Sequence, residues 1–265
     1  MVRGRITSRR FRHGRLHFLE GSPVADIGCL NGMKEWLASG EAVKVTEKVE
    51  ARLVEDDKGK SWFVKRYSSG SFFRFVLFLL GLNRGWRVFI LSCRLKDADI
   101  NVPSPSACLA SRDGWNVHSW FVCEGLGAGK DLRNHFFDDR FEALGGSRAA
   151  MEEAAKITAR LHSEGFVHYD LKWANFMVGE DGAFYLIDLD GLRKPVFGAS
   201  GKMCRDVARF VVNAREFGLS ESDIRYWLSR YALLRKVNVA EIERGMAPFY
   251  EKFVRRHRKK YNVSL

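Results

Sequence analysis

Apolar and polar positions alternate along the chain over residues 42–67 and shift to helical spacing beyond 124, which predicts a strand-rich first half and a helix-rich second half. Val43, Val45, Val49 and Leu53 alternate with charged residues, a D-D-K-G turn follows at 56–59, and Trp62, Phe63 and Val64 lead into Lys65. A helical stretch is expected over 72–95, closed by the V-P-S-P bend at 102–105. Two short strands, 107–110 and 117–123, flank an R-D-G turn at 112–114. Met151, Ala154, Ala155, Thr158 and Leu161 then recur at helix spacing, with Glu152 and Glu153 near the positive end, Arg160 and His162 near the other, and Gly165 as the stop. A hairpin of 176–178 and 184–187 turns at 179–182, and helix signals return over 203–261. The expected organisation is α+β: a β-rich domain over 1–123 and an α-rich domain over 124–265, joined near 122–126.

Composition narrows the class. Of 265 residues, 46% are hydrophobic and 29% charged, which fits a globular protein and excludes collagen-like, low-complexity and wholly disordered chains. Lys and Arg exceed Asp and Glu by 12, so an anionic partner is expected: nucleic acid, a phosphorylated substrate or a lipid headgroup surface. The five cysteines (29, 93, 108, 123, 204) contain no C-x-x-C pair, which excludes a redox dithiol and a zinc knuckle and suits reduced thiols in a cytosolic compartment. Six arginines (3, 5, 9, 10, 12, 15) crowd the first fifteen residues without an acid, and no apolar run of signal-peptide length follows them. This arm is expected to be a solvated tail or an anion-binding segment. The most apolar run, FFRFVLFLLGL at 72–82, is broken by Arg74 and Gly81 and falls short of the roughly 20 residues that span a bilayer. It reads either as a buried core helix or as an interfacial helix with arginines at lipid phosphates.

The chemistry concentrates in residues 165–193, GFVHYDLKWANFMVGEDGAFYLIDLDGLR. A loop carrying His168, Asp170, Lys172 and Asn175 precedes the hairpin, whose return delivers Asp188 toward Asn175. Asn and Asp oxygens suit Mg²⁺, and a hard cation with few protein ligands leaves room for phosphate oxygens. Asp170 adds an acceptor for a hydroxyl proton and Lys172 a cation for a moving phosphoryl group, which together make a phosphoryl-transfer site. Other chemistries lack their residues. The glycine-rich EGLGAGKD at 124–131 departs from a Walker A loop at both ends and reads as a turn opening a helix, and neither H-E-x-x-H nor G-x-S-x-G occurs.

H-Y-D-L-K-x-x-N followed by L-I-D-L-D resembles the catalytic loop (168–175) and metal motif (188–190) of the protein-kinase-like fold, which implies a small β-rich N-lobe and a larger helical C-lobe. In that resemblance Lys65, in W-F-V-K-R-Y, corresponds to the strand lysine that pairs the α and β phosphates, and 122–124, ending at Glu124, to the hinge that receives adenine. Within the fold the sequence is similar to the bacterial lipopolysaccharide core sugar kinases, the Kdo and heptose kinase family, through W-R at 86–87 leading to I-N-V-P-S-P, and L-I-D-L-D-G-L-R.

The resemblance implies ATP- and Mg²⁺-dependent phosphorylation of an inner-core sugar hydroxyl. The acceptor would be the lipid A–core oligosaccharide, met at the cytoplasmic face of the inner membrane on an anionic surface, without nucleic acid or an obligate protein partner. Asp170 would orient and deprotonate the hydroxyl, Lys172 neutralise the phosphoryl group, Asn175 and Asp188 hold metal, and His168 brace the loop. Only seventeen residues separate Asp188 from Asp206, with no A-P-E, so a peptide-docking platform is not expected. Two elements of the pattern are missing. No G-x-G-x-x-G occurs, so phosphate cover falls to backbone near 46–48, and no Glu lies in 72–95 to pair Lys65. A kinase of another small acceptor, an atypical protein kinase, and a non-catalytic kinase-like module on membrane or RNA are the competing readings; for the last, no K-G-F-G-F-V-type signature is present.

Overall fold

From Thr7 the arginine-rich arm enters a β-hairpin. In the computed structural model, which describes residues 6–11, 13–25 and 30–261, β1 (Thr7–Phe11) pairs antiparallel with β2 (Gly14–Phe18). This corrects the expectation of a tail. The charged neighbours of Leu16 hide a strand whose inward residue is buried, and Arg9 is tied to the Ala25 carbonyl (2.9 Å). Arg3, Arg5 and Arg12 lie outside the described residues.

Next come α1 (Leu30–Ser39), β3 (Glu41–Val45), β4 (Val49–Glu55), β5 (Ser61–Ser69), α2 (Phe72–Leu79), α3 (Arg84–Asp97), β6 (Pro105–Asp113) and β7 (Asn116–Glu124). The strands form one antiparallel sheet in the order β1-β2-β6-β7-β5-β4-β3. Strand alternation sends Val54, Trp62, Val64, Leu109, Trp120 and Val122 to one face, where Met33 and Leu37 of α1 close the core. Lys65 and Tyr67, one and three residues beyond Val64, take the opposite face.

The helical stretch expected over 72–95 is two helices bent by 54°. Gly81, at φ +76°, turns the chain, and the Asn83 side chain caps α3 by accepting from the Trp86 N–H (2.8 Å). The two halves have different environments. In α3, Val88, Phe89, Leu91 and Leu95 are buried, and Gly85 lies so close to β7 that a Cβ there would stand 2.5 Å from the Trp120 carbonyl oxygen. In α2 no residue is buried, so a core helix is the wrong reading for it. No single helix among the described residues is long and apolar enough to cross a membrane, although the bent pair together has the length and apolar composition of a span. Burial of α3 against the sheet accounts for its apolar residues.

The chain divides into two units, Met1–Gly127 and Ala128–Leu265. The second holds β8 (Lys130–Asp131), α4 (Leu132–Asp139), α5 (Ser147–Ser163), β9 (Phe176–Val178), β10 (Phe184–Leu186), α6 (Ala199–Glu216), α7 (Glu221–Arg235) and α8 (Val239–Tyr261). EGLGAGKD does open a helix, with the Asp131 carboxylate accepting from the Asn134 N–H (2.8 Å). Helix α5 packs on α7 and α6 on α8 around an aromatic core in which Phe210 stacks on Trp227 at 4.1 Å. The basic residues 255, 256, 258 and 259 are exposed on the last turns of α8, where they also complement the negative end of the helix dipole.

Candidate active site

Helix α5 stops at Gly165 (φ +78°), and the chain crosses to the loop of residues 168–175 through a bridge in which Val167 and Arg193 exchange N–H to carbonyl bonds of 2.8 and 2.9 Å. The loop is held from below by α6. Asp206, wholly buried, accepts from the backbone N–H of His168 (2.5 Å) and of Tyr169 (2.8 Å). These bonds hold Tyr169 in the left-handed region (φ 67°), where an aromatic residue is strained. Four residues further on, the Asn213 side chain accepts from the Trp173 N–H (3.0 Å) while the Trp173 ring packs against Phe136 and Phe141. Between these anchors Asp170 is half-exposed. Lys172 donates to its Oδ2 (3.0 Å), and the Arg209 Nε lies 3.5 Å from its Oδ1.

Asp206, Arg209 and Asn213 follow one another at three and four residues on α6, so they share one face and meet the loop at three points. The sequence assigns none of the three a role, Asp206 serving only to mark how short the chain beyond Asp188 is. The available signal is an acidic residue, Asp206, placed among the buried positions Met203, Val207 and Phe210, where an isolated charge would be unfavourable without partners.

His162, buried at the end of α5, completes this anchor: its Nδ1 accepts from the Tyr231 hydroxyl (2.7 Å) and its Nε2 faces Asp206 Oδ2 (3.4 Å). Burial lowers its pKa from the ordinary 6.5, and the Asp206 carboxylate only partly opposes this. The unfolded chain therefore binds more protons than the folded one just below pH 6.5, and folding stability falls as the pH drops through that range, by up to about 1.4 kcal/mol per unit from this residue. Thermal denaturation between pH 8 and 5.5 is expected to show a falling midpoint, with a flatter dependence in His162→Gln; equal slopes would remove His162 as the cause.

The hairpin places the two metal-ligand candidates at the same end of its ladder. Phe176 pairs with Leu186, and the register continues one step to an Ile187 N–H donating to the Asn175 carbonyl (2.8 Å), which places Asp188 one residue beyond the position facing Asn175. Asn175 is buried and donates its side-chain N–H to the Asp170 carbonyl (2.8 Å), so its amide oxygen is the atom left for a cation. Asp188 is exposed and left-handed (φ 54°). Among the described residues no three His, Cys, Asp or Glu side chains gather as a metal group. The oxygen donors of Asn175 and Asp188 are of the type that suits a hard cation whose other ligands are phosphate and water. His168 is buried, with Nε2 3.4 Å from the Ile187 carbonyl, so it sits between loop and hairpin as a brace would.

Lys65 and Glu124 belong to the first unit. The Lys65 ammonium lies 5.7 Å from the centre of the Tyr67 ring, which also receives Arg84 at 4.5 Å. Glu124 ends β7 with its N–H donated to the Ser104 carbonyl (2.9 Å) and its carboxylate on Lys60 (2.8 Å).

Comparison with known families bears on what these residues do. The model of the lipopolysaccharide kinase (Kdo/WaaP) family matches residues 31–231. The chain belongs to this family. As a Kdo/WaaP kinase it is an ATP-dependent phosphotransferase of the lipopolysaccharide core, and its architecture is α+β. Among solved structures, the ROP18 kinase domain in complex with AMP-PNP and sucrose is similar at a TM-score of 0.47 and 16% identity, covering 80% of this chain and 81% of that one. Comparison with curated proteins finds no match. The family match covers the α6 face that grips the loop, the catalytic loop and the hairpin, and it ends inside α7.

Proposed function

We propose that this Kdo/WaaP kinase transfers the γ-phosphate of ATP, with Mg²⁺, to a hydroxyl of an inner-core sugar, Kdo or heptose, at the cytoplasmic face of the inner membrane. The observation that carries the reading is Asp170: a half-exposed carboxylate fixed between two backbone anchors and flanked by Lys172 and Arg209. Its exposed position suits an acceptor brought from solvent or a bilayer, and its ionised form is the one that accepts a hydroxyl proton. Lys172 would offset negative charge on the moving phosphoryl group, and Arg209 would steady the carboxylate from the other side. Asn175 and Asp188 would hold Mg²⁺, which when bound draws phosphate oxygens to the loop. Lys65 is assigned the α and β phosphates. At Glu124, with its N–H already donated, an adenine amino group would meet the carbonyl.

The chain between Asp188 and α6 is short, with one 3-10 turn (Leu189–Gly191) and the Val167–Arg193 bridge, which supports a non-peptide acceptor. Incubation with labelled ATP and Mg²⁺ is expected to label purified lipid A–core and leave total protein unlabelled, with chelation stopping the transfer. Asn175→Ala and Asp188→Ala should each require more Mg²⁺ for half-maximal rate. Label in protein alone, or transfer indifferent to chelation, would contradict the reading.

A further inference from the structure

Past Lys65 the strand β5 continues through Tyr67, Ser68 and Ser69, and the Ser68 N–H ties it to the Lys48 carbonyl in the turn between β3 and β4 (2.9 Å). At that end of the sheet a cavity of about 160 Å³ is lined by Lys48, Arg74 of α2 and Arg84 at the start of α3, together with Tyr67, Ser68 and Ser69. No Asp or Glu is among the described residues lining it. Three cations converge there with hydroxyl donors, and two of the cations are guanidinium forks matched to phosphate geometry. Arg84 lies 4.5 Å from the centre of the Tyr67 ring, which restricts the freedom of its guanidinium.

The wall that supplies Arg74 is also the most exposed apolar surface of this unit. Phe72, Phe73, Leu79, Leu80 and Leu82 are 58–68% exposed, and Trp115, at the β6–β7 turn, is 61% exposed. Trp115 packs on Phe72 (5.9 Å) and Phe75 (4.8 Å), and Arg112 reaches over Phe75 (5.9 Å), so the ridge is a joined surface with a basic rim. Contiguous apolar patches of this kind mark docking sites. A rim of Lys48, Arg74, Arg84 and Arg112 selects an anionic occupant, and an aromatic and aliphatic ridge beside a phosphate-sized basic cavity matches the layering of a bilayer: acyl boundary, then headgroup.

We propose that Lys48, Arg74 and Arg84 bind the phosphate headgroup of a bilayer phospholipid while α2 and Trp115 enter the acyl boundary beside it. This rests on the reading that the acceptor is held in a bilayer, and it deepens that reading by naming the face that meets the membrane. The site carries its ligand on the same face of the sheet as Lys65, so docking there would bring the kinase to the surface where its acceptor lies.

The test uses the full chain, without ATP or lipid A–core, in co-sedimentation with phosphatidylcholine vesicles that contain or lack phosphatidylglycerol. Binding is expected to favour the anionic vesicles. Arg74→Ala and Arg84→Ala should each weaken it about fivefold, and a Phe72→Ser, Phe73→Ser pair should weaken it roughly tenfold or more. Brominated lipid should quench tryptophan fluorescence in the parent chain and less in Trp115→Phe, a readout that does not depend on removing charge. Unchanged affinity in both arginine variants, each confirmed folded by its thermal midpoint, overturns the headgroup site. Equal quenching with and without Trp115 overturns insertion, as does a failure of the parent chain to bind either vesicle. Any of these results leaves the acceptor assignment standing. Normal docking with no phosphate transferred to lipid A–core would overturn that assignment instead.

Discussion

Replacing Asp170 by alanine is expected to lower turnover by about 10² to 10⁴, the usual share of a positioned acid–base group, with little change in the Michaelis constant for ATP. The side chain is half-exposed and its partners Lys172 and Arg209 are themselves partly in solvent, so the ion pairs contribute at most about 1 kcal/mol each to folding and the thermal midpoint should hardly move. A large kinetic effect with a small thermodynamic one is the signature of a group kept for chemistry. Asp170→Asn sharpens the comparison. The amide keeps the shape of the carboxylate and one acceptor for Lys172, yet it has no basic oxygen to take a hydroxyl proton. If Asn and Ala are equally impaired, proton acceptance and charge are what matter. Asn with near-parental turnover would reduce Asp170 to an orienting role.

The second large effect is of the opposite kind. Asp206→Ala leaves the backbone N–H groups of His168 and Tyr169 buried without acceptors, at about 1–3 kcal/mol each. It also releases the left-handed Tyr169 from the contacts that maintain it. A loss of about 2–6 kcal/mol should lower the thermal midpoint by roughly 10 °C, and activity should fall with it because Asp170 directly follows Tyr169. Asp206→Asn retains one acceptor but turns an N–H donor toward one of the two backbone donors, so it should recover only part of the stability. Thermal denaturation followed by far-ultraviolet circular dichroism measures the loss; a midpoint within a degree of the parent would show that α6 is not what fixes the loop.

These two aspartates mark where the sequence could be read and where it could not. Asp170, Lys172, Asn175 and Asp188 stand out in the sequence because their order and spacing are those of a carboxylate, a cation and two oxygen-bearing side chains around a hairpin whose turn residues are explicit. The hairpin itself, 176–178 with 184–186, follows from strand patterning on either side of a glycine-bounded turn. Asp206, Arg209 and Asn213 act only through contacts made forty residues away in sequence, and no local pattern encodes those.

The N-terminal hairpin was obscured differently. With arginine at most positions of residues 9–15, composition suggests a tail, and only the partner strand β6 reveals that Leu16 is an inward position. For 72–95, hydrophobicity alone could not separate a helix buried on the sheet from one left outside it. The break at Gly81 and Asn83 was visible as residues, but its effect on burial depends on where α3 docks.

Glu124 illustrates a further limit, since a contact made through backbone has no side-chain signature. Its N–H is occupied by Ser104, a fact that only the register of β6 and β7 supplies.

The most direct measurement is transfer of phosphate from ATP and Mg²⁺ to purified lipid A–core, with the modified position mapped by fragmentation mass spectrometry, for the parent chain and Asp170→Ala side by side. The account predicts a single added phosphate on an inner-core sugar hydroxyl in the parent reaction and almost none with the variant. An unmodified core in the parent reaction, or equal phosphorylation by the two proteins, would contradict it.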